Sequence, residues 1–464
     1  MELDHNPAML VFLGMYFLVI IGIGWHYSKK VKDSKDFMLA GGTLGPVVLM
    51  GTLIATWVGS GTVTGGGNSI AYDYGLWPAI LFGLTSLIGV GVLYIIAPKI
   101  RAAGKYTIAE AMEDRYGKGA KVLASAIIIL AFIGIVSYQF TGLGMVLNVT
   151  TGMSVELGTI IAAVLIIFLA TIGGLMSVAP TDALSAFLIL FGIIIGVPIA
   201  ISTAGGWSNV VAEVPESSLT ILGDLSIMQF VGLVIPTLFL LLGDQNMYQR
   251  LASSKGDSET KLGTIGWGIG LVVIYPAIAI IAFTARVNFP DIAAGQALIA
   301  TTTIMPMMVG GLLLAAITAF IITTGSSYLL SAATNITMDI YGNYIKPDAS
   351  SKEKLVFTRI MIPIIGVLAY VLIQYFPSIL AAQMYAYTVY AAGITPAILA
   401  VFLWNKRVTK AGGLSSMIAG VIATLVVEFG NLIPYDAAVV SVPIAIAVLI
   451  VVTLLTKPEK SIEP

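Results

Sequence analysis

Apolar stretches long enough to cross the roughly 30 Å hydrocarbon core of a bilayer, about 20 residues each, recur along this whole chain with short polar joins between them. Thirteen can be delimited, at 8–27, 46–71, 76–98, 121–147, 155–173, 177–202, 226–246, 262–285, 306–341, 355–376, 381–404, 412–434 and 436–456. The composition agrees: 58% of the 464 residues are apolar and 10% charged, against about 25% charged in soluble globular proteins. An ordinary soluble enzyme is thereby excluded. The 49 glycines and 19 prolines are scattered through apolar sequence without a period or a low-complexity tract, so the chain is neither fibrous nor disordered. The expectation is an all-α polytopic membrane protein forming one transmembrane domain over 1–464. The first stretch exceeds a typical signal segment and runs into Lys29, Lys30, Lys32 and Lys35 without a small-residue cleavage site, so it reads as a retained span.

The few charges test the span count, because one helix more or fewer would exchange the sides of every later loop. With the N-terminus (MELDHNP) outside, 22 of the 23 Lys and Arg residues fall in inner loops or at the inner C-terminus, and Arg286 alone lies outside. Arg250, Lys255 and Lys261 belong to one such inner loop, and Lys457 and Lys460 to the C-terminal one. Thirteen spans, N-terminus out and C-terminus in, is the topology this bias supports. A net charge of −1 gives no pull toward nucleic acid, and zero cysteines exclude disulfides, thiolate metal sites and cysteine catalysis. His5 and His26, both near the first helix, offer no histidine metal site or triad. Neither a nucleotide fingerprint nor a G-x-x-x-x-G-K-[ST] loop is present, so ATP-driven transport has no engine here. The longest polar join, Lys99 to Lys118, reads as an amphipathic segment on the inner surface.

Two spans are interrupted by glycine and small hydroxyl residues at about mid-depth: the second, LMGTLIATWVGSGTVTGGGNSIAY, and the ninth, LAAITAFIITTGSSYLLSAATNITMDIY. A broken helix frees backbone carbonyls and helix-end dipoles, which lipid tolerates only where they line a cavity or bind an ion. The competing reading is that such residues let helices pack closely. Four acids lie within or near spans: Asp182, Asp244, Asp339 and Glu428. Asp182, in MSVAPTDALSAFL, has no Lys or Arg in its own span, so a cation is its simplest partner, and a protonated, hydrogen-bonded carboxyl the alternative. Thr323, Thr324, Ser326 and Ser327 form a hydroxyl cluster in which Thr323 shares a helical face with Ser326 and Ser327. Such hard oxygens suit sodium better than a transition metal, or serve as packing glue. Asp244 either binds solute or caps a helix facing inward. Asp339 reads as an anchor or gate against an inner Lys or Arg, and Glu428 has no role in the site.

These residues resemble the sodium:solute symporter family. The likeness runs end to end through KDFMLAGGTLG, ATWVGSGTVTGGG, GGLMSVAPTDALSAF, DQNMYQRLASSK and TTGSSYLLSAATNITMDIY, and ATWVGSG and YQRLASS look most like the choline- and proline-carrier branch. The resemblance implies a LeuT-like 5+5 inverted repeat: a leading helix (8–27), a first five-helix repeat (46–202), a second (226–404) and two trailing helices (412–456). It further implies a sodium site formed by the carbonyls of Ala55, Val58 and Phe320 and the hydroxyls of Thr323 and Thr324. A second would use Asp182, Thr323, Ser326 and Ser327. Solute would sit beside Trp57, Ser60, Gly61 and Thr62, facing Tyr138 and Gln139, Asp244, Asn246 and Tyr248, and Tyr385 and Tyr387. Aromatic rings with one carboxylate suit a cationic or amino-bearing solute, while a sugar or a carboxylate stays open.

The resulting expectation is a sodium-coupled secondary symporter of a small polar organic solute, in the inner (plasma) membrane, working by alternating access with Na⁺ as its coupling ion and no obligate protein partner. A proton-coupled carrier, in which Asp182 cycles a proton, and a non-transporting sensor on the same scaffold are the alternatives. No carboxylate pair or histidine set at catalytic spacing speaks for an enzyme.

Overall fold

The structure, a computed structural model, describes residues 5–457; Lys460, assigned above to the inner side, lies outside the described residues. Among the described residues, ten helices are long and apolar enough to cross a membrane, or twelve if each of two bent pairs counts as one span. The elements used below are α1 (Leu10–Ser28), α2 (Pro46–Trp57), α3 (Gly66–Asp73), α4 (Ser86–Ala103), α5 (Ile108–Tyr116), α6 (Lys118–Thr151), α7 (Val155–Thr203), α8 (Ile227–Gly243), α9 (Gln245–Ala252), α10 (Asp257–Asn288), α11 (Met307–Asn335), α12 (Ser351–Ile373), α13 (Ile379–Gly393), α14 (Thr395–Leu403), α15 (Lys410–Phe429) and α16 (Ala438–Leu455).

The break expected in the second span is present. α2 stops at Trp57, Val58 takes an extended conformation (φ −89°, ψ 102°), and a π-helical turn at Gly61–Gly65 leads into α3. The two halves are bent by 51°. The break expected in the ninth span is absent: α11 runs as one helix from Met307 through Thr323, Thr324 and Gly325 to Asn335 and turns π-helical only over Ile336–Ile345. The physical reason is visible in Thr323, whose hydroxyl donates 2.8 Å to the Ala319 carbonyl one turn back. Hydroxyl residues satisfied by their own helix need not interrupt it.

Two other breaks replace it. α8 ends at Gly243, Asp244 is extended (φ −66°, ψ 115°), and its side chain accepts from the Asn246 amide at 2.7 Å, capping α9. α13 and α14 meet at Ile394 with a 44° bend. A fourth discontinuity lies inside the 49-residue α7, where Gly174 has φ 55° and ψ −160°. A straight helix of that length would measure about 74 Å, far beyond a bilayer. At Gly174 a β-carbon would stand 2.4 Å from the Phe37 carbonyl oxygen, so glycine is required both by the dihedrals and by the approach of the chain before α2.

α11 is the central helix, buried along nearly its whole length and packed on α6 and α7. α2 lies against α7 and α10, while α9 is buried from Gln245 to Leu251. The segment expected to lie on the inner surface forms α5, capped by Thr107, whose hydroxyl accepts from the Glu110 amide at 3.0 Å. Leu44, just before α2, and Ser254, just after α9, form an isolated parallel β-bridge. The Leu44 amide donates to Ser253 at 3.0 Å, and the Lys255 amide donates to Leu44 at 2.9 Å.

Candidate functional site

Where α2 stops, its last carbonyls lose their helical partners, and α11 supplies hydroxyls there. Thr323 Oγ1 lies 2.8 Å from the Ala55 carbonyl and 3.2 Å from that of Phe320. Thr324 Oγ1 lies 3.1 Å from Ala55, 3.2 Å from Thr56 and 3.2 Å from Val58. The five oxygens expected to form the first sodium site (Ala55, Val58, Phe320, Thr323 and Thr324) are thus drawn together by direct contacts. A hydroxyl that donates to a carbonyl can also turn its lone pairs to a hard cation. Gly59, which sequence reasoning passed over, makes this approach possible: a β-carbon there would sit 2.6 Å from Thr324 Oγ1.

The second set is also assembled, with a partner the sequence reading did not anticipate. Asp182 is fully buried, and its Oδ2 accepts from Thr52 at 2.5 Å and from Thr56 at 3.4 Å. Arg250 Nη2 lies 3.4 Å from the same oxygen and donates 2.6 Å to Ser327 Oγ. Arg250 Nε donates to Thr52 at 2.9 Å. The assignment of Arg250 to an inner loop is therefore corrected: it is 1% exposed. Asp182 has no basic residue in its own span, and the arginine that pairs with it arrives from α9, 68 residues away in sequence. Asp182 Oδ1 and Ser326 Oγ are buried without a hydrogen-bond partner. Both residues line a cavity of about 40 Å³ together with Thr323, Ser177 and Tyr16 of the leading helix.

The expected solute residues divide. The Ser60 amide donates 2.8 Å to Gln139 Oε1, and Ser60 Oγ donates 3.1 Å to the Tyr138 carbonyl. Tyr138 OH donates to Tyr387 OH at 3.4 Å. Gly61 lies against Gln383 and Tyr387, its would-be β-carbon 3.2 Å from the Tyr387 hydroxyl. Trp57 and Thr62 are buried beside the same break, and Trp57 Nε1 and Gln139 Nε2 have no hydrogen-bond partner among the described residues. Asp244 Oδ2 accepts from Tyr328, a residue sequence reasoning missed. Tyr390, also missed, binds the break itself: its hydroxyl donates 2.7 Å to Gly243 and accepts from the Gln245 amide at 3.2 Å. Phe132 packs edge-on against Tyr328 and stacks on Tyr390. The signal for Tyr328 and Tyr390 was their helical spacing from Thr324 and Tyr387, one turn and three residues away.

Two expected residues are not brought to this cluster. Tyr248 donates to the Leu242 carbonyl at 3.0 Å and lines a small cavity with Tyr106 and Phe402. Tyr385, two residues from Tyr387 and so on another face of α13, is 45% exposed and lines a separate open cavity of about 420 Å³ with Glu428, Tyr435 and Asp436. Asp339 is anchored as the sequence suggests, 3.8 Å from Lys121 Nζ and accepting from Thr107 at 3.0 Å and Asn335 at 2.9 Å. Among the described residues no group of three or more His, Cys, Asp or Glu side chains is arranged to hold a metal ion; the ligands here are hydroxyls, carbonyls and one carboxylate.

The family model for the sodium:solute symporter family matches residues 37–420. The chain belongs to that family. Like other sodium:solute symporters it is a multi-pass membrane protein that couples Na⁺ to the symport of a small solute. A sodium/proline symporter of Staphylococcus aureus is 26% identical over 458 residues, covering 92% of this chain and 86% of that protein. A Na⁺-coupled sialic acid symporter, solved substrate-bound and outward-open, superposes with a TM-score of 0.84 at 20% identity, covering 98% of this chain and 99% of that one. Mhp1, a nucleobase-cation-symport-1 family transporter, gives a TM-score of 0.62 at 12% identity over 92% of this chain and 96% of its own. These likenesses establish the LeuT-like fold for this family member.

Proposed function

We propose that this symporter carries two sodium ions and a small amino-bearing solute through alternating access. The observation that carries the reading is the meeting of Thr323 and Thr324 hydroxyls with the Ala55, Thr56 and Val58 carbonyls at the break between α2 and α3. An ion at Ala55, Val58, Phe320, Thr323 and Thr324 would tie the broken element to α11, and its release inward would let the two part. The second ion would use Asp182 Oδ1, Ser326, Ser327 and Thr323, where two buried oxygens have no partner. Each charge crossing a 100 mV potential supplies about 2.3 kcal/mol, so two ions support over about a thousandfold accumulation at 1.4 kcal/mol per tenfold.

The solute would lie between the break in α2 and α3 and the break at Asp244, among Trp57, Tyr138, Gln139, Tyr328 and Tyr387. Asp244 and the aromatic rings favour an amino group, and the unpartnered indole and amide N–H groups of Trp57 and Gln139 suit an acceptor on the same solute. The name of the Staphylococcus aureus relative makes L-proline the first solute to test. Read as two spans joined at Gly174, α7 raises the twelve spans counted with bent pairs to thirteen. The repeats would then be 46–202 and 226–404, each opening with a broken element, with the N-terminus outside.

Uptake of radiolabelled L-proline and a panel of amines, sugars and carboxylates into proteoliposomes, under a sodium gradient or a pH gradient, tests the reading. Sodium-driven uptake with a Hill coefficient above one is expected. Uptake that follows the pH gradient alone would replace sodium with a proton on Asp182, a reading its partner-free Oδ1 also accommodates.

A further inference from the structure

Asp182 presents two differently treated oxygens. Oδ2 is held by Thr52, Thr56 and the Arg250 guanidinium, while Oδ1 is buried without a partner, and Asp182 lines a small cavity with Ser326. Arg250 is the one basic side chain paired with Asp182 among the described residues, and both are essentially inaccessible. A symporter that releases its ions inward must return empty, and a buried carboxylate stripped of its cation inside a bilayer is costly. The protein therefore needs a charge that stays behind.

We propose that Arg250 is a resident counter-cation: it compensates Asp182 on the empty return and competes with the second sodium ion for the same carboxylate, so that its charge sets the sodium affinity of that site. The inference rests on the two-ion reading above. Ser327 makes the exchange possible, because the oxygen expected as a sodium ligand is the one that accepts from Arg250 at 2.6 Å. The consequence reaches the solute side. Arg250 Nη1 also donates 3.3 Å to the carbonyl of Asn246, two residues beyond Asp244 on the same short helix α9. A cation arriving at Asp182 thus loosens a contact of the helix that Asp244 caps. Arg250 acts as a positioning and affinity-setting residue, without itself touching the solute.

Equilibrium binding of radioactive sodium alone to the purified full-length protein tests this. The native protein should bind two equivalents and Asp182→Asn one. Arg250→Gln should keep two, the second half-saturating at a concentration at least about tenfold lower because the tethered competitor is gone. Arg250→Lys, which keeps the charge, should stay within about threefold of native. An unchanged half-saturation in Arg250→Gln, with Asp182→Asn still losing one equivalent, overturns the competition and leaves the two-ion reading intact. A native protein that binds one equivalent, unaltered in Asp182→Asn, removes both. Should Arg250→Gln fail to fold, thermal unfolding of Asp182→Asn/Arg250→Gln decides. The double variant should be more stable than Asp182→Asn alone, because neither charge is then orphaned, and equal or lower stability overturns the proposal.

Discussion

Thr324 concentrates three contacts on one oxygen, reaching the Ala55, Thr56 and Val58 carbonyls across the gap between two helices. Thr324→Val preserves the shape and removes the oxygen. It should raise the sodium concentration for half-maximal binding roughly tenfold, the 1.4 kcal/mol typical of one such polar contact, whereas Thr324→Ser should stay near native. Sodium titration of purified protein by thermal shift reads both, since a ligand that binds the folded state raises its apparent stability. Gly59→Ala attacks the same contact from the other side. Its β-carbon would overlap the Thr324 side chain at 2.6–2.7 Å, so sodium affinity should fall at least as far as in Thr324→Val; native affinity in that variant would refute the close approach. At this scale the sequence was legible where chemistry and spacing coincide, as in Thr323, Thr324 and Asp182. Arg250 was not, because its basic character matched the expected loop and nothing local reveals that α9 turns it inward to a carboxylate on α7. Tyr385 and Tyr248 were misplaced for the opposite reason: being near Tyr387 and Asp244 in sequence does not put a side chain on their face of the helix.

The elements differ in how openly the sequence declares them. The break after Trp57 was readable from VGSG followed by TVTGGG, since an extended residue and several glycines leave no good helix there. The break at Asp244 was hidden, because one Gly-Asp pair suffices when the aspartate caps the following helix and Tyr390 binds both flanking backbone groups. The hydroxyl-rich ninth span misled in the other direction, for its threonines bond within the helix and to α2 and leave it intact. Gly174 yields an element-level prediction. Replacement by alanine forces a dihedral pair that only glycine adopts readily, at about 1–3 kcal/mol, and drives a β-carbon toward the Phe37 carbonyl. Gly174→Ala should lower the melting temperature, with a much smaller effect on sodium half-saturation than Thr324→Val. A normal melting temperature would mean that the turn between the halves of α7 relaxes freely.

For the molecule as a whole, orientation is the property most economically tested, because the chain contains no cysteine and any introduced thiol is unique. Ser217 lies on an exposed segment of the expected outer side and Ser258 on the expected inner side. In intact cells a membrane-impermeant maleimide should label Ser217→Cys at once and Ser258→Cys only after permeabilisation; the reverse pattern would invert the topology. The global fold was the most legible level, because repeated apolar length is a property of the entire chain and survives local errors such as the placement of Arg250. The pairing of distant elements was the least legible, and one such pairing has a mechanical meaning. The isolated bridge between Leu44 and Ser253–Lys255 binds the approach to α2 to the exit of α9 through backbone groups alone. Two separately interrupted rods are thus tied at these ends, and a displacement imposed on either is transmitted to the other without passing through any side chain. Evolution can vary the side chains at 44 and 253–255 without disconnecting the linkage; only a residue lacking its amide hydrogen, proline at 44 or 255, would cut it.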